Sequence, residues 1–135
     1  MKELTIDATV ENITKVTAFV DEQLEELGCP MKAQIQIDIA IDELFGNIAH
    51  YAYNPEVGQA TVRVDVVQEP LSVVVTFIDN GMAYDPLARR DPNVALPADE
   101  REIGGLGIYM VKKSMDEITY EYKAGQNILR IKKAI

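Results

Sequence analysis

Residues 31–53 carry apolar side chains at so many positions that a helix formed there has to lie inside something. Ile35, Ile37, Ile39, Ala40, Ile41, Leu44, Phe45, Ile48, Ala49 and Ala52 cover most of the circumference of a helix wound over this stretch. A helix apolar on most sides belongs in the middle of a domain, so the rest of the chain is expected to supply layers around it. Glu43 and Asn47 then stand out, because polar groups inside a protein need partners. Their i, i+4 spacing sets a carboxylate and an amide on one face, one turn apart, about 5–6 Å between Cβ atoms. His50 follows at i+7, on the same side.

The flanking segments say what those layers are. Leu4 to Ala8 alternates as a short strand, and Thr9 is placed to cap a helix with its hydroxyl. Ile13, Val16, Val20, Leu24 and Leu27 recur at steps of three and four, predicting an amphipathic helix over 10–27. Gly28 supplies a left-handed stop, Cys29 sits passively beside the turn, and Pro30 opens the next helix. Residues 60–68 and 71–78 alternate Val62, Val64, Val66 and Val73, Val75, Phe77 with polar positions, predicting a hairpin. Residues 79–105 have no sustained period and are rich in Asp, Pro and Gly, the profile of a binding loop or lid. Ile108, Val111 and Met115 suggest a short helix. A closing hairpin, Ile118–Tyr122 against Ile128–Ile131, turns at Ala124-Gly125-Gln126-Asn127. Hairpins dominate and alternating βαβ units are absent. The expected fold is therefore α+β: a two-layer sandwich of an antiparallel-rich mixed sheet with helices on one face, forming one domain over 1–135.

Composition narrows the function. The formal charge is −9, from 13 basic and 22 acidic residues, which argues against a nucleic-acid binder that must neutralise phosphates. Residues 1–50 carry −7, residues 51–110 −5 and residues 111–135 +3. The acidic first third reads as a device for solubility or, alternatively, as a surface offered to a basic partner, with Glu22 and Glu25 on it. A single cysteine excludes an internal disulfide, and no apolar run approaches the roughly 20 residues that span a bilayer. With no secretory pattern at Met1-Lys2-Glu3-Leu4, a reducing, cytoplasmic setting without membrane association is the default.

Three segments carry chemistry. An asparagine amide oxygen such as that of Asn47 is a hard donor suited to Mg²⁺, and the carboxylate of Glu43 can orient or deprotonate a hydroxyl or a metal-bound water. Asp79-Asn80-Gly81-Met82-Ala83 ends a strand. Its ionised carboxylate only accepts hydrogen bonds, which suits the exocyclic amine of adenine, and Gly81 admits close approach of backbone to a flat base. Gly104-Gly105-Leu106-Gly107 opens a helix, where backbone N–H groups converge on an anion. Taken singly, the three read equally as a satisfied polar pair, a turn and a flexible connector. No Walker-type Lys-Ser/Thr follows the glycines.

In this order, Glu43-x-x-x-Asn47, Asp79-x-Gly81-x-Ala83 and Gly105-x-Gly107 resemble the N box and two glycine boxes of the ATP-binding domain shared by gyrase, the ninety-kilodalton heat-shock chaperone, histidine kinases and the mismatch-repair ATPase. The resemblance implies a Bergerat-type fold, Mg²⁺ at Asn47, the adenine amine on Asp79, and a phosphate lid at Gly105 and Gly107 with their neighbours Gly104 and Leu106. The length leaves room for neither a phosphoacceptor helix pair nor a transducer domain, so the chain looks most like the small anti-sigma-factor serine/threonine kinases. Met115-Asp116-Glu117-Ile118 is similar to their ending. That likeness implies ATP and Mg²⁺ as cofactors, Glu43 as general base, and a sigma factor and an anti-anti-sigma protein of the STAS type as partners. The alternative is a nucleotide-gated module that sequesters a regulator without phosphorylating it. The apolar strand at 4–8 and the first helix are compatible with a homodimer. Familiar members place a histidine four residues after the asparagine, whereas His50 follows Asn47 by three. It is given no role and is expected to be satisfied and partly buried. Arg89, Arg90 and Arg101 are candidates for γ-phosphate contact, set against a reading as solvated loop charges.

Overall fold

The alternation of Ala60, Val62 and Val64 with polar neighbours folds as the sequence suggests, into one face that is dry and one that is wet. The computed structural model of the chain describes residues 1–88 and 106–135. Its elements run β1 (Lys2–Asp7), a 3₁₀ turn (Val10–Asn12), α1 (Ile13–Glu26), α2 (Met31–Asn47), a π-helical turn (Ile48–Ala52), β2 (Gln59–Val67), β3 (Ser72–Asp79), α3 (Leu106–Ser114), β4 (Glu117–Lys123) and β5 (Gln126–Ala134). The strands form one sheet in the order β1-β2-β3-β5-β4. All four pairings are antiparallel, with β2–β3 and β4–β5 consecutive hairpins.

The registers Val62↔Phe77, Val64↔Val75, Phe77↔Leu129 and Val75↔Ile131 line up one apolar face. It packs against Val16, Val20 and Leu24 of α1 and Ile37, Ala40, Ile41, Leu44 and Phe45 of α2 in a single buried cluster. The opposite face carries Arg63–Glu3, Arg130–Glu121 and Lys132–Glu117 ion pairs, all of them partly or largely exposed. Such pairs keep the open face solvated and contribute little to stability.

Two layers leave α2 less enclosed than its composition implies. Met31, Ile35 and Ile39 point outward, Ile35 at 50% and Ile39 at 56% exposure, since the sheet covers only one side and α1 only one flank. The helix starts also differ from expectation. Thr9 makes no side-chain capping bond, and the first turn of the predicted helix is 3₁₀, tied instead by the Asn12 side-chain amide to the Asp7 carbonyl at 2.9 Å. Gly28 does act as the left-handed stop, at φ 68°. Gly28 N–H donates to Glu25 O and Cys29 N–H to Leu24 O, the paired bonds of a Schellman motif.

At the other end of the chain, Ala124 (φ 53°) and Gly125 (φ 78°) alone make the β4–β5 turn, the doubly positive pair that matches the twist of a tight hairpin. Gln126 and Asn127, expected in the turn, belong to β5, with Asn127 opposite Asp79 of β3. Asp116 fastens the α3–β4 corner: its Oδ2 accepts from Ala134 N at 2.6 Å, and its own N–H donates to Lys132 O. Among the described residues no helix is long and apolar enough to cross a membrane.

Candidate functional site

Where α2 ends, its hydrogen bonding changes. Asn47 is the last α-helical residue, and Ile48–Ala52 continue as a π turn, a widened register often found where a helix must offer a side chain to a ligand. The extra residue brings Ala52 against the end of β3. Met82 N–H donates to Ala52 O at 2.9 Å, and a side chain at Gly81 would overlap that same carbonyl. Gly81 is thus needed for close approach of the chain to its own backbone, where the sequence suggested approach to a base.

Between this junction and the sheet lies a pocket lined by residues that include Asn47, Tyr51, Asp79, Met82, Tyr84 and Asn127, with Leu44, Phe77 and Leu129 as its apolar floor. Its enclosed volume is about 40 Å³, a narrow cleft that opens to solvent. Tyr51 and Tyr84 stand on the rim with ring centroids 5.7 Å apart. Asp79 is 5% exposed, and its Oδ1 accepts from Gly81 N and Asn127 Nδ2, both at 2.9 Å. Both bonds fall on Oδ1, which leaves Oδ2 with acceptor capacity. Among the described residues nothing hydrogen-bonds the Asn47 side chain, so its amide oxygen is available where it lines the pocket.

Glu43, one turn before Asn47, does not line the pocket. Its carboxylate lies against Gly107 near the start of α3, so closely that a side chain at Gly107 would overlap it. Asn47 and Asp79 therefore line one pocket, while Glu43 stands outside its lining, one helical turn from Asn47. Ala83 and Leu106 are exposed and outside the pocket lining. Gly104, Gly105, Arg89, Arg90 and Arg101 lie outside the described residues. His50 is exposed, with its ring 6.0 Å from that of Tyr51, and not partly buried as expected, because the π turn rotates it outward.

Sequence reasoning missed the polar frame beneath the pocket. Tyr53 OH donates to Gln59 O at 2.6 Å and accepts from Asn80 N–H at 2.8 Å, strapping the π turn to β2 and the end of β3. Burial, with the Asp79 charge nearby, pushes the Tyr53 phenol above its usual range, against the opposing Asn80 hydrogen bond. Tyr120 is raised chiefly by burial as well, and its hydroxyl bonds Asn127 Oδ1. The phenols accordingly stay neutral donors at any physiological pH. The signal for Asn127 was present: it shares the inward parity of Leu129 and Ile131, but the Gly-Gln-Asn composition masked it as a turn.

A buried carboxylate above an apolar floor, an unengaged amide at a helix end and a second carboxylate by the next helix mark a ligand-binding corner of an α+β domain. The comparisons with known proteins name the family. Residues 6–133 match the histidine kinase-like ATPase domain, and the chain belongs to that family. It is 25% identical over 131 residues to a serine-protein kinase RsbW of Bacillus cereus strain AH187, covering 94% of this chain and 74% of the relative. A second RsbW, from Bacillus cereus strain ATCC 10987, is 26% identical over 96% of this chain and 82% of its own length. The serine/threonine-protein kinase BtrW of Bordetella bronchiseptica is 27% identical over 74% of this chain and 70% of its own length.

Proposed function

We propose that this protein is an ATP- and magnesium-dependent serine/threonine protein kinase that acts as an anti-sigma regulatory factor and phosphorylates an anti-anti-sigma partner of the STAS type. The observation that carries the reading is the placement of Asp79 and Asn47 in one pocket with Glu43 one helical turn away. Relatives named serine-protein kinase over most of this chain support the reaction class.

In this reading Asp79 accepts a hydrogen bond from the adenine amine, while Leu44, Phe77 and Leu129 exclude water from the base. The Asn47 amide oxygen fits Mg²⁺, a cation that takes oxygen donors and keeps several waters. When bound, the ion would neutralise charge on the phosphates. Glu43 accepts the proton of the incoming serine or threonine hydroxyl as its oxygen bonds the γ-phosphorus and the bond to the β-phosphate oxygen breaks. Phosphoryl transfer runs on positioning and charge stabilisation, so few groups suffice. Gly104, Gly105 and Gly107 are the lid glycines of this reading, and Arg89, Arg90 and Arg101 its candidates for γ-phosphate contact; of these only Gly107 is among the described residues. The sigma factor is held through the acidic surface of α1, where Glu22 and Glu25 are exposed.

The test is transfer from radiolabelled ATP to purified STAS-type proteins, with Glu43→Gln alongside. Transfer lost by about 10²-fold or more in Glu43→Gln, with ATP affinity retained, is expected of a general base. ATP binding without transfer by the native protein to any sigma-regulating partner would favour sequestration without catalysis. No calorimetric signal with ATP and Mg²⁺ would remove the nucleotide reading.

A further inference from the structure

We propose that the groove between α1 and α2 is a docking site for an amphipathic helix of a partner protein, one that carries lysine or arginine along the flank of an apolar stripe. The inference stands apart from the nucleotide reading, since no residue lining this groove lines the pocket of Asn47 and Asp79.

The short turn at Gly28 returns α2 along α1, but the two helices do not close over each other along their outer side. α1 offers Thr14 and Thr17 there, side chains too short to cover the isoleucines opposite. The result is an open groove of about 610 Å³ in which Ile35 and Ile39 stand half exposed, with Val10 of the preceding turn 48% exposed beside them. Ile35 and Ile39 are one helical turn apart, and Met31, 69% exposed, continues the row by another turn. The row gives about 12 Å of apolar surface along α2. Contiguous apolar surface of this kind marks a contact site, whereas single exposed side chains do not. Its spacing matches the anchors of a helix laid into a groove.

Charge decides which helix fits. Asp38 and Asp42 are the only charged residues in the lining among the described residues, again one turn apart, so an acidic row runs beside the apolar one. Oδ1 of Asp38 is buried without a hydrogen-bond partner among the described residues, an acceptor that calls for a donor. A second copy presenting the same groove would set these acids against themselves in the two-fold contact of a closed dimer. A partner helix with cations beside its apolar stripe meets both rows at once, and its charges exclude acidic competitors.

The probe is a synthetic amphipathic helix of about 18 residues, long enough to fold alone, with leucines at helical spacing and lysines along one flank. A control peptide carries glutamate at each lysine. Binding to the full chain is titrated calorimetrically at low and high salt, and the contact is mapped from amide chemical-shift changes. The lysine peptide is expected to bind, to weaken as salt rises, and to shift amides of α1 and α2 along the groove. The glutamate control is expected to bind roughly tenfold more weakly or worse. Ile39→Lys drives a charge into the apolar contact and is expected to weaken the lysine peptide by roughly tenfold or more. Asp42→Lys is expected to weaken it severalfold and to strengthen the control. Both substitutions lie on the surface, and melting curves confirm that each variant is folded. No binding of the lysine peptide, equal binding of both peptides, or shifts confined to other faces would overturn the proposal. A native dimer that Ile39→Lys dissolves in sedimentation would also overturn it, because the occupant would then be a second copy.

Discussion

The Glu43 carboxylate lies against the Cα of Gly107, so that the acid of α2 and the first turn of α3 share one volume. Gly107 is thereby explained by Glu43 whatever the glycine does toward phosphate. A methyl group at 107 would displace the flexible end of a side chain and not backbone, so the fold has a cheap escape. Gly107→Ala is expected to leave thermal stability unchanged or raise it by up to about 1 kcal/mol, since alanine favours the helix. Phosphotransfer is expected to fall roughly 10- to 100-fold as the carboxylate swings away. Melting curves and single-turnover transfer check the two halves separately.

Gly81 offers the contrast. A methyl group there would meet the carbonyl, and then the Cβ, of Ala52, and a backbone group in a π turn cannot rotate aside. Gly81→Ala is expected to cost about 1–3 kcal/mol, the usual penalty of overpacking. It should also separate Met82 N–H from Ala52 O and weaken ATP. Chemical denaturation and nucleotide titration read both effects. A destabilisation below that range with native affinity would mean that the strand end and the π turn are less firmly joined than their 2.9 Å bond implies.

Much of this site was legible in the sequence because its parts are local. Glu43 and Asn47 are tied by helical periodicity, and Asp79 by its place at the end of an alternating strand. What was not legible depended on contacts distant in the chain. Asn127 meets Asp79 only through β3–β5 pairing, 48 residues apart. Gly81 meets Ala52 only because a π turn inserts an extra residue, which propensity does not announce. The fold followed the same division: the hairpins and the Gly28 stop were readable from spacing, while Gln126 and Asn127 were drawn into β5 by a turn that needs only two residues. The apolar count of α2 overstated its burial, since count does not say how many layers a domain has.

That overstatement has a measurable side. Ile37 is 1% exposed and packed in the central cluster, whereas Ile35 and Ile39 are half exposed. Ile37→Ala is expected to destabilise by about 2–5 kcal/mol through lost burial and the cavity left behind. Ile35→Lys and Ile39→Lys are expected to stay within about 0.5 kcal/mol of the native chain, as surface substitutions do. Denaturant unfolding of the three variants decides it. A large loss at Ile35 or Ile39 would show that this helix face is covered in solution.

The Asp21–Asp38 pair between α1 and α2 predicts how stability responds to pH. Oδ1 of Asp21 and Oδ1 of Asp38 are both buried without a hydrogen-bond partner among the described residues, and the neighbouring Asp21 carboxyl favours a proton on Asp38. Burial first, then the bond to Asp21 and its charge, raise Asp38 from 3.8 to about 7. As pH climbs past about 4 the unfolded chain releases this proton while the native chain keeps it, so the native state binds more protons and stability declines. The loss is complete once pH passes about 7, where the native pair also ionises. Both carboxyls retain contact with water, which limits the effect to about 1–2 kcal/mol. Asp38→Asn supplies a permanent amide donor to Asp21, and is expected to flatten the profile between pH 4 and 7 and to melt higher than the native chain at pH 8. Parallel slopes in the two proteins would show that the pair does not share a proton.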